Sequence, residues 1–267
     1  MTESPPIPLL EELALANRMA DIADRISMER FRAVDLQVTA KPDLSPVTEA
    51  DRAIELRIRD IVAEQRPGHT VLGEEFGGDV ALLDGWRWVV DPIDGTRSFV
   101  RGNETWATLI ALQYQGRSMV AVASLPAFGS RFAAVRDGGA TDDGQPIHVS
   151  RIASVEQAML AHTSVSGFAR VGMADDLVRL GRRCWDARGV GNALSHLMVA
   201  RGSADIGWTS RANTWDHAAL SLIVEEAGGR FLDRSGDGPL GGTGLSTNGL
   251  LHDEVLAFTG ADRNRPP

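Results

Sequence analysis

Leu9, Leu13, Ala16, Ala20 and Ala23 recur every three or four residues, which predicts a helix from about Pro8 to Phe31. Pro42 and Pro46 then break the stretch KPDLSPVTEAD, which reads as a loop. Ile54, Ile58, Ile61 and Val62 mark a second helix, stopped by Pro67-Gly68. Val71-Leu72 reads as a short strand opening onto GEEFGG, and Trp86–Val90 as a buried strand. Ala107–Tyr114, Ser118–Ser124 and Arg131–Val135 follow as strands, separated by Gly116-Arg117 and Pro126–Gly129, so an antiparallel meander is expected.

Beyond about Val149 the pattern alternates. Ala158–Ser164 reads as a strand, Met173–Arg183 and Asn192–Ala200 as helices, and Ala204–Trp208 as a strand. Trp215–Ala227 is helical and ends at Gly228-Gly229. Short strands at Arg230–Leu232 and Leu245–Thr247 precede a last helix over Leu250–Phe258 and a frayed tail, RNRPP. There is no internal repeat. These elements predict helices layered on sheets (α+β or α/β) in one compact unit, with an N-terminal half over residues 1–149 and a C-terminal half over 150–267.

Composition narrows the function classes. The chain has 267 residues and a formal net charge of -9, which argues against nucleic acid or an anionic membrane surface as partner. Its single cysteine, Cys184, excludes an internal disulfide and a cysteine metal cluster and fits a reducing compartment. No basic start with an apolar run marks a signal peptide, and no apolar run is long enough to span a bilayer, so a soluble, cytoplasmic protein is expected.

Acidic residues collect at element ends: Glu74-Glu75 and Asp91/Asp94 after strands, Asp51 and Asp216 at helix starts. Such convergence suits a hard divalent cation, because Mg²⁺ takes oxygen ligands. The plain readings are caps, since Thr48-x-x-Asp51 and Asn213-x-x-Asp216 both have capping-box spacing. The segment DPIDGTRSF (91–99) resists that reading: a turn requires Pro and Gly, not two acids flanking an apolar residue at the end of a core strand.

PVTEAD (46–51), LGEEFGG (72–78), DPIDGTRSF (91–99) and WDHAA (215–219) together resemble the inositol monophosphatase family of Mg²⁺-dependent, lithium-sensitive phosphatases, in the family's order. The resemblance covers the chain after residue 9 and implies the layered α-β-α-β-α sandwich of the sugar phosphatases. It also implies two to three Mg²⁺ ions held by Glu74, Asp91, the Ile93 carbonyl, Asp94 and Asp216, with Asp51 at a third, weaker position. Asp51 and Thr96 would hold the attacking water, with Glu74 as a further catalytic carboxylate. Gly95 and Thr96 would receive the phosphate at a helix start, and Lys41 would lie in a loop closing over the site. The implied reaction is metal-assisted hydrolysis of a small-molecule phosphomonoester by a homodimer. No Cys-x5-Arg, Asp-x-Asp-x-Thr or Walker motif offers another phosphate chemistry.

Within that family, KPDLSPVTEADRA (41–53), VLGEEFGG (71–78), FVRG with WATLIAL (99–112) and TNGLLHDEVL (247–256) resemble the histidinol-phosphate phosphatase branch. The chain departs from the branch at Arg97-Ser98 (usually Lys-Asn), Asn192 (Asp), Thr209 (Glu) and Phe132-Ala133 (paired Trp). The alternatives are therefore an inositol, sugar or other pathway-intermediate phosphatase, or a non-catalytic binding protein that kept the fold. Candidate substrate-side residues are Asp94, Gly95, Thr96, Arg188, Asn192, Thr209, Arg211 and Asp216. His196 and His217 read as packing or surface residues rather than ligands, Trp106 as core, and Glu75 as support for Glu74.

Overall fold

The computed structural model describes residues 7–42, 44–79, 84–233 and 242–259, so the expectation for the RNRPP tail lies outside them. Helix α1 (Leu9–Arg30) buries Leu15, Ala16, Met19, Ala20 and Ala23 along one stripe. Just before the Pro-broken stretch read as a loop, β1 (Val38–Ala40) pairs antiparallel with β2 (Pro46–Thr48), so that part of the stretch is strand instead. Pro46 opens β2, a position where its missing N–H is tolerated. Helix α2 (Glu49–Gln65) starts on a full capping box between Thr48 and Asp51.

Strand β3 (Thr70–Gly73) runs parallel to β4 (Trp86–Asp94). After the one-turn helix α3 (Thr96–Val100), the meander continues antiparallel through β5 (Ala107–Tyr114), β6 (Arg117–Leu125) and β7 (Ser130–Val135). Strands β8 (Gly139–Asp142) and β9 (Gln145–Pro146) complete a seven-stranded sheet. The sequence pattern did not reveal those two, because β9 is exposed and β8 only half-buried. Alternation along the central strands sends Trp88, Val90, Ile110, Leu112, Val120 and Val122 toward α1 and α2. Val89, Leu109, Ala111, Ala121 and Ala123 point to the opposite face.

The second half supplies β10 (Met159–His162), α4 (Val165–Arg170), α5 (Ala174–Arg183), β11 (Asp186–Gly189), α6 (Leu194–Ala200) and β12 (Ile206–Trp208). Helix α7 (Thr214–Glu226), β13 (Arg230–Asp233), β14 (Gly244–Thr247) and α8 (His252–Thr259) follow. Five of these strands form a mixed sheet in the order β11-β10-β12-β14-β13. Leu197, Ala218, Leu222 and Ile223 of α6 and α7 pack on the first sheet, while Phe168, Leu177, Leu180 and Val255 of α4, α5 and α8 cover the second. The layers are thus α-β-α-β-α. Residue 150 separates the two sheets, but α7 crosses that line: Ser118 Oγ on β6 donates to the Ala218 carbonyl at 2.7 Å. No helix among the described residues is long and apolar enough to cross a membrane.

Candidate metal centre and substrate cleft

The candidate site residues sit where β3, β4, α2, α3 and α7 end or begin. Strand β4 carries Asp91 opposite Leu109, and the register slips before Asp94 meets Ala107. That irregularity re-aims the side chains. Thr108 Oγ1 donates to the Pro92 carbonyl at 2.8 Å and holds the segment against β5. Asp216 is the third residue of α7, where it accepts from the Asn213 N–H in a capping box. Single oxygens of Asp91, Asp94 and Asp216 all lie within 4.8 Å of one another. Three carboxylates at that spacing form an anionic cage.

Electrostatics show what the cage lacks. Asp91 is 1% exposed, and its Oδ1 has no hydrogen-bond partner. Burial pushes its carboxyl well above the usual range, and the charges of Glu74, Asp94 and Asp216 push the same way. Burial also raises Asp94 to about 8, helped by Asp216 and opposed by the Ala193 N–H, which donates to Asp94 Oδ2 at 2.6 Å. Asp216 rises to about 6, again chiefly through burial. A buried oxygen without a partner inside a ring of acids fits a hard cation and no apolar ligand.

Glu74 stands beside this group, and its Oε1 accepts from Lys41 Nζ at 2.7 Å. The same ammonium reaches Glu75 Oε1 at 2.7 Å. Burial alone would lower the Lys41 pKa, but the bonds to Glu74 and Glu75 outweigh it and raise it. Burial lifts Glu75 to about 7 against the pull of Lys41. Asp51 serves two ends at once. Its Oδ2 accepts from the Thr48 N–H at 2.9 Å as a cap, and its Oδ1 receives the Thr96 hydroxyl at 3.3 Å. Thr96 Oγ1 also lies 3.2 Å from the Ile93 carbonyl. The cap readings of Asp51 and Asp216 hold, and each keeps its second oxygen free of the cap.

The substrate-side candidates divide. Asp94, Asn192, Thr209, Arg211 and Asp216 line one cleft of about 660 Å³. Gly95 has φ of 90°, and a Cβ there would fall 2.1 Å from Asn192 Nδ2, so glycine is required twice over. Asn192 donates to the Thr105 carbonyl at 2.8 Å, and its backbone turn delivers Ala193 to Asp94. Thr209 Oγ1 is 2.7 Å from His196 Nε2. Arg188 lies apart: it is exposed on β11 and pairs with Asp186 at 2.7 Å, outside the cleft wall. Inside α3, the Ser98 and Phe99 N–H groups turn back to the Gly95 carbonyl. Both histidines are buried rather than surface residues, and burial lowers His196 to about 3, with His217 adding to the shift.

A sequence profile of the family described as "Inositol monophosphatase family" matches residues 9–259. The chain belongs to that family. It is 46% identical over 252 residues to a histidinol-phosphatase of Mycobacterium tuberculosis, covering 92% of this chain and 96% of the relative. It is 43% identical over 261 residues to a histidinol-phosphatase of Streptomyces coelicolor, covering 93% and 97%. The solved structure of the Thermotoga maritima IMPase superposes with a TM-score of 0.84 at 30% identity, covering 93% of this chain and 96% of that one.

One supporting residue escaped the sequence reading. Glu55 is fully buried on α2, one turn after Asp51. Its carboxylate accepts from the Glu75 N–H at 2.7 Å, the Phe76 N–H at 3.2 Å and Arg59 Nε at 2.9 Å. A Cβ on Gly73 would lie 2.0 Å from Glu55 Oε1, so Gly73 leaves room for this approach. The available signal was an acid at i+4 from Asp51 within the stripe of Ile54 and Ile58. Glu55→Ala should lower stability by about 3 kcal/mol, because it removes the buried carboxylate partner of Arg59 and leaves two loop N–H groups without their acceptor. It should also raise the Mg²⁺ concentration for half-maximal activity; urea unfolding and a metal titration measure the two effects.

Proposed function

We propose that this protein is a Mg²⁺-dependent phosphomonoesterase that converts histidinol phosphate and water to histidinol and inorganic phosphate. The observation that carries the reading is the clustered trio Asp91, Asp94 and Asp216, with a buried Asp91 oxygen left without a partner. The extensive likeness to two histidinol-phosphatases supports the substrate. Glu74, Asp91, the Ile93 carbonyl, Asp94 and Asp216 would hold two magnesium ions, with Asp51 at a third position. Bound Mg²⁺ supplies the charge that acidifies a water and neutralises the phosphate oxygens.

The chain's own groups do the remaining work. The Thr96 hydroxyl points its hydrogen at Asp51 Oδ1 and the Ile93 carbonyl, which leaves its lone pairs to accept a hydrogen bond from the attacking water. Burial raises Asp51 only to about 6, so it is ionised at neutral pH and keeps Thr96 oriented. Gly95 brings the backbone close to the phosphate, Ala193 fixes Asp94, and Thr209, Arg211 and Asn192 face the leaving group. The family resemblance implies a homodimer, and Arg188 lies exposed on the edge strand β11, paired with Asp186. Free Cys184 fits a cytoplasmic setting.

Phosphate release from histidinol phosphate, inositol 1-phosphate and glucose 6-phosphate, with Mg²⁺ and after chelation, tests the reading. The expected result is Mg²⁺-dependent turnover that is fastest with histidinol phosphate. No turnover of any ester would leave the non-catalytic alternative in place.

A further inference from the structure

His162 closes β10, between Gly189 of β11 and Trp208 of β12. Asn192 and Thr209 lie just past those two partners, and all three side chains line the same cleft. The backbone pins the position, because the Val190 and Gly191 N–H groups donate to the His162 carbonyl at 3.1 and 3.2 Å. The ring stands edge-on to Phe168, with centroids 6.2 Å apart and planes at 85°. A Cβ on Gly189 would lie 3.2 Å from His162 Cε1, so glycine there leaves the ring its place. Only 8% of the residue is exposed.

The ring's Nδ1 lies 2.6 Å from the Thr163 carbonyl oxygen. A carbonyl only accepts, so Nδ1 carries the hydrogen. In the neutral ring, Nε2 is then a lone pair with no hydrogen to give. It has no hydrogen-bond partner among the described residues, and it is not one of the polar atoms sealed off from solvent, so it opens toward the cleft that the residue lines. The neighbouring polar groups are engaged: Asn192 Nδ2 donates to the Thr105 carbonyl, and Thr209 Oγ1 bonds to His196 Nε2. A leaving group that gives up water for this cleft needs an acceptor for each N–H it brings. We propose that His162 sets specificity, its Nε2 accepting a hydrogen bond from a nitrogen-bound hydrogen of the leaving group. Histidinol phosphate carries two such donors, its ammonium and its imidazole N–H. This rests on the phosphomonoesterase reading of the same site and adds the residue that selects the leaving group.

The test compares histidinol phosphate, 3-aminopropyl phosphate and propyl phosphate, whose leaving groups carry both donors, the ammonium alone and neither. His162→Asn keeps an amide N–H near the Nδ1 position for Thr163 and removes the acceptor at Nε2. It should lower kcat/KM for histidinol phosphate about tenfold relative to propyl phosphate, the scale of one hydrogen bond to a charged or strongly polar group. His162→Gln, which can place an amide oxygen near the Nε2 position, should keep most of that ratio. A matching fall with 3-aminopropyl phosphate identifies the ammonium as the donor, and a fall confined to histidinol phosphate identifies the imidazole. In the wild-type protein with Mg²⁺ and inorganic phosphate, the ¹⁵N signal of His162 Nε2 should move on adding histidinol and stay in place on adding propanol. An equal fall on all three esters in His162→Asn, or an Nε2 signal indifferent to histidinol, would overturn this inference alone. No turnover of any of the three esters by the wild-type protein overturns the phosphomonoesterase reading with it.

Discussion

Asp91→Asn should stabilise the metal-free protein and at the same time cut Mg²⁺-dependent phosphatase activity about a thousandfold. Both effects come from one side chain. In the metal-free fold, Asp91 is buried among Glu74, Asp94 and Asp216, and its carboxyl is driven well above the ordinary range by burial and then by those charges. Folding at neutral pH therefore requires either a costly buried charge or the uptake of a proton. An amide of the same shape requires neither. The gain should be about 2–4 kcal/mol at pH 7, on the scale of about 1.4 kcal/mol per pH unit between the unfolded pKa and the working pH. It should vanish near pH 4, where the unfolded chain is protonated as well. Activity falls because an amide cannot supply the anionic oxygen, and losing about 4 kcal/mol of transition-state stabilisation is about a thousandfold. Chemical denaturation at pH 4 and pH 7 and a phosphate-release assay measure the pair. An Asp91→Asn variant that is less stable at pH 7 and still active would rule out Asp91 as the centre of the cage.

The second large effect is a dependence of stability on pH that magnesium removes. Burial raises Asp51 and Asp216 to about 6 and Asp94 to about 8, and pushes Asp91 well above the usual carboxylate range. Each folded carboxyl therefore holds its proton at a pH where the unfolded one has lost it. For these groups the folded state binds more protons, so their contribution to stability is greatest near pH 4 and falls as pH rises toward about 8. Each excess proton contributes about 1.4 kcal/mol per pH unit. His196 works in the opposite direction: burial lowers it to about 3, so its contribution is lost as pH falls below the unfolded value of 6.5. Its contribution is common to the metal-free and Mg²⁺-loaded proteins and cancels in their difference. The rise in Tm on adding Mg²⁺ should accordingly grow steadily from pH 5 to pH 8, because ionised carboxylates bind the cation and protonated ones do not. A rise in Tm that is the same at pH 5 and pH 8 would show that these acids do not form the metal site.

Legibility of the site differed residue by residue. DPIDGTRSF could be interpreted from the sequence because its demands are local: a core strand, a stiffening Pro, and a Gly with φ of 90° lie within a few residues of both acids. Asp51 and Asp216 were legible twice, as third residues of capping boxes and as acids at helix starts, and the structure uses one oxygen of each as a cap. Glu55 was not legible, because the N–H groups it serves lie twenty residues away, at Glu75 and Phe76. Nor was the separation of Arg188 from Arg211: both fall in loops or strand ends of the second half, and only the paths of β11 and the turn before α7 set one outside the cleft and the other on its wall.

The amino-acid sequence by itself determined the central strands, the long helices, the two capping boxes and the identity of the acids that gather at element ends. These follow from periodicity and short-range hydrogen bonding, which depend on neighbours within a few positions. Tertiary structure alone decided that α7 packs between the two sheets and that Asp216 arrives beside Asp91 and Asp94. Those outcomes depend on how apolar faces far apart in the chain are buried against each other, and no local pattern records the position of the other face.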